Sequence, residues 1–210
     1  MGLRGRSRLP PPVPPGDGLI VFAYARPETL REAIDLVAGG GRPLAGGTDL
    51  LVGLRKGKFS AELVVDLKGI DELAPRIRST AEGVEIGAAT VISDVIGHPE
   101  VRSGYPALVE AASAVGSVQI RNRATLAGNV CNASPAADTV PPLLVYDASV
   151  CVAGPNGERT LSLADFFVGP GRTALGPGEI VTRLVLPPPV RAAAFARMTR
   201  RRGVDLATVS

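Results

Sequence analysis

Two stretches of this chain combine residue types and spacings suited to holding a phosphorylated ligand. The first is Leu44-Ala45-Gly46-Gly47-Thr48-Asp49-Leu50-Leu51, a strand running through two glycines into a helix start. Without Cβ atoms, Gly46 and Gly47 can turn sharply and let backbone N–H groups come close to a ligand, and a helix opening at Leu50 adds its partial positive end. That is an anion cradle for a phosphate or pyrophosphate, with the Thr48 hydroxyl as one more donor. A carboxylate beside a pyrophosphate is repulsive, so Asp49 is expected to turn away and cap the helix. The same residues also fit a tight strand-to-helix turn that needs glycine for steric reasons alone.

The second stretch is Gln119-Ile120-Arg121-Asn122-Arg123-Ala124-Thr125-Leu126-Ala127-Gly128-Asn129-Val130-Cys131-Asn132-Ala133-Ser134-Pro135-Ala136-Ala137-Asp138. Small residues, amide and hydroxyl groups and a closing carboxylate give it the means to wrap a polar ligand. Gly128 permits close backbone approach, Thr125, Asn129 and Ser134 offer hydrogen bonds, and Asp138 can accept from sugar hydroxyls. The competing structural reading is that the small residues pack a buried turn.

Other chemistries are poorly served. The single histidine, His98, sits in a Gly97-His98-Pro99 turn context, and Cys131 and Cys151 are too few for an iron-sulfur cluster or a four-cysteine zinc site. No Gly-x-Gly-x-x-Gly follows a predicted strand. Gly53-Leu54-Arg55-Lys56-Gly57-Lys58-Phe59 has three residues where a P-loop needs four, and Phe59 where it needs a hydroxyl. Cys131 reads as a small packed residue rather than a point of covalent attachment.

The elements that must position these stretches follow from periodicity and turn signals. Residues 20–24 read as a strand, and Pro27-Glu28-Thr29 opens a helix whose Leu30, Ala33, Ile34 and Val37 share one face before Gly39-Gly40-Gly41 ends it. Strand 43–45, the 46–49 turn, helix 50–56 and strand 63–66 complete a β-α-β unit. Beyond Pro75, 77–80 and 84–87 form a hairpin around Glu82-Gly83, and 150–153 with 159–162 form another around Pro155-Asn156-Gly157. Helices are expected at 92–96, 106–115 and 140–146, the last tolerating Pro141 and Pro142 only in its first turn. A strand covers 180–186, 187–189 reads as a linker, and 117–139 reads as a long irregular segment.

Composition bounds the rest. At 210 residues, 45% hydrophobic and 20% charged, the chain is globular, with one large domain or two small ones. The net charge of +3 does not signal nucleic acid: three arginines fall in residues 1–9 and five in residues 191–210, the body is mildly acidic, and no basic stripe is interleaved with aromatics. No apolar run approaches the ~18 residues of a membrane span. The basic start leads into prolines rather than an apolar signal region, so the expected location is the cytoplasm. Residues 1–18 are expected to be a disordered leader.

Taken together, the two stretches resemble the FAD-binding (medium) subunit of the molybdenum hydroxylases, the group that includes xanthine dehydrogenase and aerobic carbon monoxide dehydrogenase. Further matches come in order: Phe22-x-Tyr24-x-x-Pro27-x-Thr29-Leu30-x-Glu32-Ala33, Val65-Asp66-Leu67-Lys68-x-Ile70-x-Glu72-Leu73, Ile86-Gly87-Ala88-Ala89-Thr90 and Gly169-Pro170-Gly171-Arg172-Thr173-Ala174-Leu175. The resemblance implies an α+β, two-lobed FAD-binding fold of the PCMH type, similar to vanillyl-alcohol oxidase. The FAD-binding domain would cover 19–188, with lobes 19–75 and 76–188. Residues 189–210 would begin a C-terminal domain that is cut short.

Carried across by position, Gly46, Gly47, Thr48, Asp49 and Leu50, entered through Ala45, would hold the pyrophosphate by backbone N–H. Thr125, Gly128 and Asn129, with Leu126 and Ala127 between them, would face it from the second lobe. Ser134 and Asp138 would take polar atoms of the flavin or ribityl chain, Val181 would lie near the flavin, and Arg197 is a further candidate. The resemblance also implies electron transfer without an acid-base residue: electrons arrive from an iron-sulfur small subunit, having left substrate at a molybdopterin large subunit, and go on to NAD or another acceptor. Two other readings are a free-standing flavin oxidase or reductase of the same fold and a truncated, non-catalytic interface remnant.

Overall fold

The computed structural model describes residues 21–189 and 193–198; the expected leader at 1–18 and most of 189–210 lie outside them. The chain opens with β1 (Ala23–Ala25), α1 (Leu30–Ala38), β2 (Arg42–Leu44), α2 (Leu50–Arg55) and β3 (Leu63–Asp66). These strands form a parallel sheet of order β1-β3-β2. β3 is central, and its Val64 and Val65 are fully buried, as expected of an apolar strand covered on both faces. α1 starts where Thr29 Oγ1 accepts from the Glu32 N–H at 3.2 Å, buries Ala33 and Ile34, and stops as Gly40 takes φ +96°.

After a 3₁₀ turn at Asp71–Leu73 come β4 (Ile77–Thr80) and β5 (Gly83–Gly87). The helices α3 (Ile92–Gly97), α4 (Pro99–Gly104), α5 (Pro106–Ala114), α6 (Val118–Arg121), α7 (Leu126–Cys131) and α8 (Val140–Val145) follow. The chain then runs through β6 (Ser149–Gly154), β7 (Gly157–Ser162), α9 (Leu163–Phe166), β8 (Phe167–Gly169), β9 (Arg172–Thr173) and β10 (Ile180–Leu186). β4-β5-β10-β6-β7 is an antiparallel sheet, and β8-β9 a small ribbon. Both predicted hairpins are present.

One continuous apolar core runs from Ala33, Ile34 and Val65 of the first sheet region to Leu108, Leu126, Leu143, Phe166 and Leu184 of the second. Tyr105 and Tyr146 meet edge to face at 5.1 Å inside it, and the Tyr105 hydroxyl donates to the Pro187 carbonyl at 2.8 Å. A fork of Arg159 on Glu179 (2.7 and 2.6 Å) shapes the loop before β10. Gly178 in that loop, at φ +79°, lies against Ala38 and Pro155.

The structure departs from the sequence reading at several points. The first strand begins at Ala23, because its partner register runs Ala23↔Leu63 to Ala25↔Val65. The Gly97-His98-Pro99 turn is the junction of α3 with α4, where Pro99 sits at the N1 position that tolerates it. The 117–139 segment is not irregular: it holds α6 and α7, each capped by a hydroxyl, Ser117 accepting from Ile120 N–H and Thr125 from Gly128 N–H.

Candidate functional site

The first stretch lies at the carboxyl end of the parallel sheet, where open α/β sheets bind ligands. Leu44 pairs with Asp66 in the ladder, and Leu67 N–H donates to Leu44 O at 3.0 Å. From there the chain leaves the sheet. Among the described residues, the backbone N–H groups of Gly46, Gly47, Thr48, Asp49 and Leu50 have no protein acceptor, whereas the next two partnered donors, Leu51 and Gly53, bond to Gly47 O and Asp49 O at 3.1 and 2.8 Å. Buried backbone donors are nearly always paired, so a half-exposed row of free ones is a ready surface for an anion. Gly47 sits at φ +77°, the left-handed region glycine enters without penalty.

Asp49 occupies the N-cap position of α2 but does not cap it. Its backbone is already helical (φ −99°, ψ −46°) and its side chain makes no capping hydrogen bond. Side-chain capping needs an extended N-cap residue, so the expected role fails for a geometric reason, while the exposed carboxylate does stand on the solvent side.

The second stretch is brought directly against the first. A Cβ placed on Gly46 would stand 2.2 Å from the Arg123 carbonyl oxygen and 2.8 Å from Ala124 Cα, so only glycine permits this approach. Two backbone bonds hold the second stretch in place: Ile92 N–H to Ala124 O at 2.8 Å and Leu126 N–H to Thr90 O at 3.2 Å. Thr90, buried, is itself fastened through its hydroxyl to the backbone of Arg76.

Within α7 and the turn after it, the side chains expected to reach for a ligand are engaged internally. Thr125 Oγ1 accepts from Gly128 N–H at 3.0 Å, Asn129 Oδ1 accepts from the buried Thr139 hydroxyl at 2.6 Å, and Ser134 Oγ accepts from Ala136 N–H at 3.3 Å. Leu126 and Ala127 are buried, and the Ala127 N–H has no protein acceptor among the described residues. Asp138 pairs with Arg197 at 3.0 Å; burial pushes its carboxyl up, and the guanidinium opposes that. Val181 is buried beside a bulge in β10 that places Ile180, Val181 and Thr182 all inside. Burial pushes the Cys131 thiol up to about 12, so it carries no reactive thiolate near neutrality.

A cavity of about 280 Å³ opens beside Ser134, lined by Ala133, Ala137, Val140, Pro141, Phe167 and Pro170 among others. Its floor includes Ala133 at φ +47°, whose carbonyl accepts from Gly171 N–H at 2.8 Å, which ties the β8-β9 ribbon to the turn after α7.

Two groups escaped the sequence reading of the site. Asp66, at the end of β3, takes the Tyr24 hydroxyl on one carboxylate oxygen and Lys68 Nζ on the other at 2.5 Å, and Lys68 reaches on to Ala45 O at 3.4 Å. Burial alone would raise the Asp66 carboxyl, but hydrogen bonds from Lys68 and Tyr24 outweigh it and hold the group below its ordinary value. The Asp66 partnership raises the Tyr24 hydroxyl in turn. Thr139, partner of Asn129, is the other, and nothing in its local sequence marks it.

The sequence profile of the FAD-binding domain in molybdopterin dehydrogenase matches residues 20–189. Among curated relatives, the glyceraldehyde dehydrogenase medium chain of Sulfolobus acidocaldarius is 34% identical over 168 residues, which is 79% of this chain and 59% of that one. The xanthine dehydrogenase FAD-binding subunit of Escherichia coli O157:H7 is 33% identical over 192 residues, 89% of this chain and 66% of that one. The carbon monoxide dehydrogenase of Hydrogenophaga pseudoflava superposes with a TM-score of 0.82 at 33% identity, covering 89% of this chain and 66% of that one. The chain thus spans 59% and 66% of the two curated relatives' lengths. By profile, identity and fold alike, the chain belongs to the family of FAD-binding domains of molybdopterin dehydrogenases.

Proposed function

We propose that this chain is the FAD-carrying electron-transfer subunit of a multi-subunit molybdenum hydroxylase, an oxidoreductase of the xanthine dehydrogenase type acting in the cytoplasm. Its partners would be an iron-sulfur small subunit and a molybdopterin large subunit, with NAD or another acceptor receiving the electrons. The observation that carries this reading is the seating of Gly46 against Arg123 and Ala124, which sets five free N–H groups of one bend beside the α7 bend. A dinucleotide's pyrophosphate fits such a donor set, and no titratable base is needed beside it. When bound, the flavin supplies two-electron and one-electron transfer.

The chain's own residues bind and orient. The N–H groups from Gly46 to Leu50, entered through Ala45, would hold the pyrophosphate, and Ala127 N–H would add a donor from the other side. Thr125, Leu126, Gly128 and Asn129 would shape that wall; Thr125 Oγ1 and Asn129 Oδ1 already accept within the chain, which leaves the Thr125 hydroxyl and the Asn129 amide N–H groups as further donors. The open space beside Ser134 and the Asp138–Arg197 pair would take the polar edge of the ring system or its acceptor, with Val181 behind it. The 19–75 and 76–188 lobes would then be the two walls of one cofactor cleft.

A titration of the purified chain with FAD tests this, read by the flavin's own fluorescence because the chain has no tryptophan. Saturable quenching that Gly46→Ala abolishes is the expected result. A chain that leaves FAD fluorescence unchanged overturns the proposal.

A further inference from the structure

Gly46 is constrained from two directions. Toward the second stretch, only a residue without a Cβ fits against Arg123 O. That choice has a mechanical cost: glycine tolerates positive and negative φ alike, so the peptide joining Ala45 to Gly46 can rotate by a half-turn with little steric penalty. A rotated peptide would turn the Gly46 N–H inward and aim the Ala45 carbonyl, a partial negative charge, at the ligand.

The structure holds a device against that rotation. Lys68 Nζ lies 3.4 Å from Ala45 O and 2.5 Å from Asp66 Oδ1, whose other oxygen takes the Tyr24 hydroxyl. The carboxylate is almost wholly buried, at 6% side-chain exposure, and also accepts Lys68 N–H at 3.1 Å, so the ammonium is tied to a fixed point at the end of β3. The described peptides are trans, and in a trans peptide C=O and N–H point in opposite directions. An ammonium that holds Ala45 O on one side therefore aims Gly46 N–H to the other. We propose, on the functional reading above, that Lys68 is a positioning residue: anchored by Asp66 and Tyr24, it locks the Ala45–Gly46 peptide so that the row of free N–H groups begins already facing the ligand.

The test compares the full chain with Lys68→Met, which keeps the apolar stem, and Lys68→Arg, which keeps a cation able to bridge the same two oxygens. Amide ¹⁵N relaxation without FAD should give Gly46 and Gly47 order parameters near the ~0.85 of rigid backbone in the parent and below ~0.6 in Lys68→Met, with recovery in Lys68→Arg. The FAD dissociation constant should rise about tenfold in Lys68→Met and recover in Lys68→Arg. Its salt dependence should be the same in parent and Lys68→Met, because the lysine orders donors rather than meeting the phosphate. Unchanged order parameters overturn the proposal. So does an affinity loss accompanied by a flattened salt dependence, which would make Lys68 a direct phosphate ligand. A parent chain that takes up no FAD overturns the functional reading instead, and the relaxation data still decide for or against the lock.

Discussion

The 45–50 bend and the 124–138 segment face each other, yet they treat their polar groups in opposite ways. In the first, backbone donors stand free and the one charged side chain, Asp49, points to solvent without a capping bond. In the second, side-chain oxygens accept from within the chain or pair with a cation: Thr125 from Gly128, Asn129 from Thr139, Ser134 from Ala136, and Asp138 with Arg197. On the proposed function, the first bend would bind through its backbone N–H groups and the second segment would supply the facing wall. Sequence inspection expects ligand contacts from both, backbone N–H groups at the first and hydroxyl, amide and carboxylate groups at the second.

Substitutions should separate the two roles. The largest effect is expected at Gly46→Ala, whose Cβ would drive apart two stretches of backbone; a loss of about 100-fold or more in FAD affinity, roughly 2.7 kcal/mol, is the expected reading by fluorescence titration. Thr139→Val removes the donor from the half-buried Asn129 Oδ1 and should cost about 1 kcal/mol in urea unfolding. Thr125→Val removes the α7 cap and should cost about 1 kcal/mol by the same measurement. Neither should change FAD affinity as Gly46→Ala does. Smallest of all, Asp49→Ala should alter stability by no more than about 0.5 kcal/mol and leave FAD affinity intact, because the carboxylate neither caps nor binds.

Acid should act on the first region through Asp66, as it does on the loop before β10 through Glu179, which Arg159 holds below its ordinary value. Asp66 is held below its ordinary value of 3.8, so the stability its ionised form contributes is complete above that pH and is lost as pH falls through the lower native value. Asp66→Asn should flatten that acid limb of the stability curve. Asp138, raised by burial, has the opposite sign: keeping it ionised at neutral pH costs stability that acidification restores.

What could be read from the residues follows from the range of the interactions. α1 announces itself through a capping Thr29, a four-residue apolar stripe and terminal glycines, and both hairpins through their turns, because each signal is local. α7 does not: Leu126-Ala127-Gly128-Asn129-Val130-Cys131 has no amphipathic stripe and carries a glycine, and it is helical because Leu126, Ala127 and Val130 are buried together and Thr125 caps it. The Lys68–Ala45 and Asp138–Arg197 pairings join residues far apart in the chain and leave no pattern at either end. Asp49 misleads because its capping role depends on a backbone angle that residue type does not dictate.

FAD binding by the proposed site turns on which amides meet the phosphates. Adding FAD, and separately ADP, to the ¹⁵N-labelled chain should shift the N–H resonances of Gly46, Gly47, Thr48, Asp49 and Leu50 together with Ala127, in both titrations and more than any others. Shifts centred elsewhere, with these six unmoved, would contradict it.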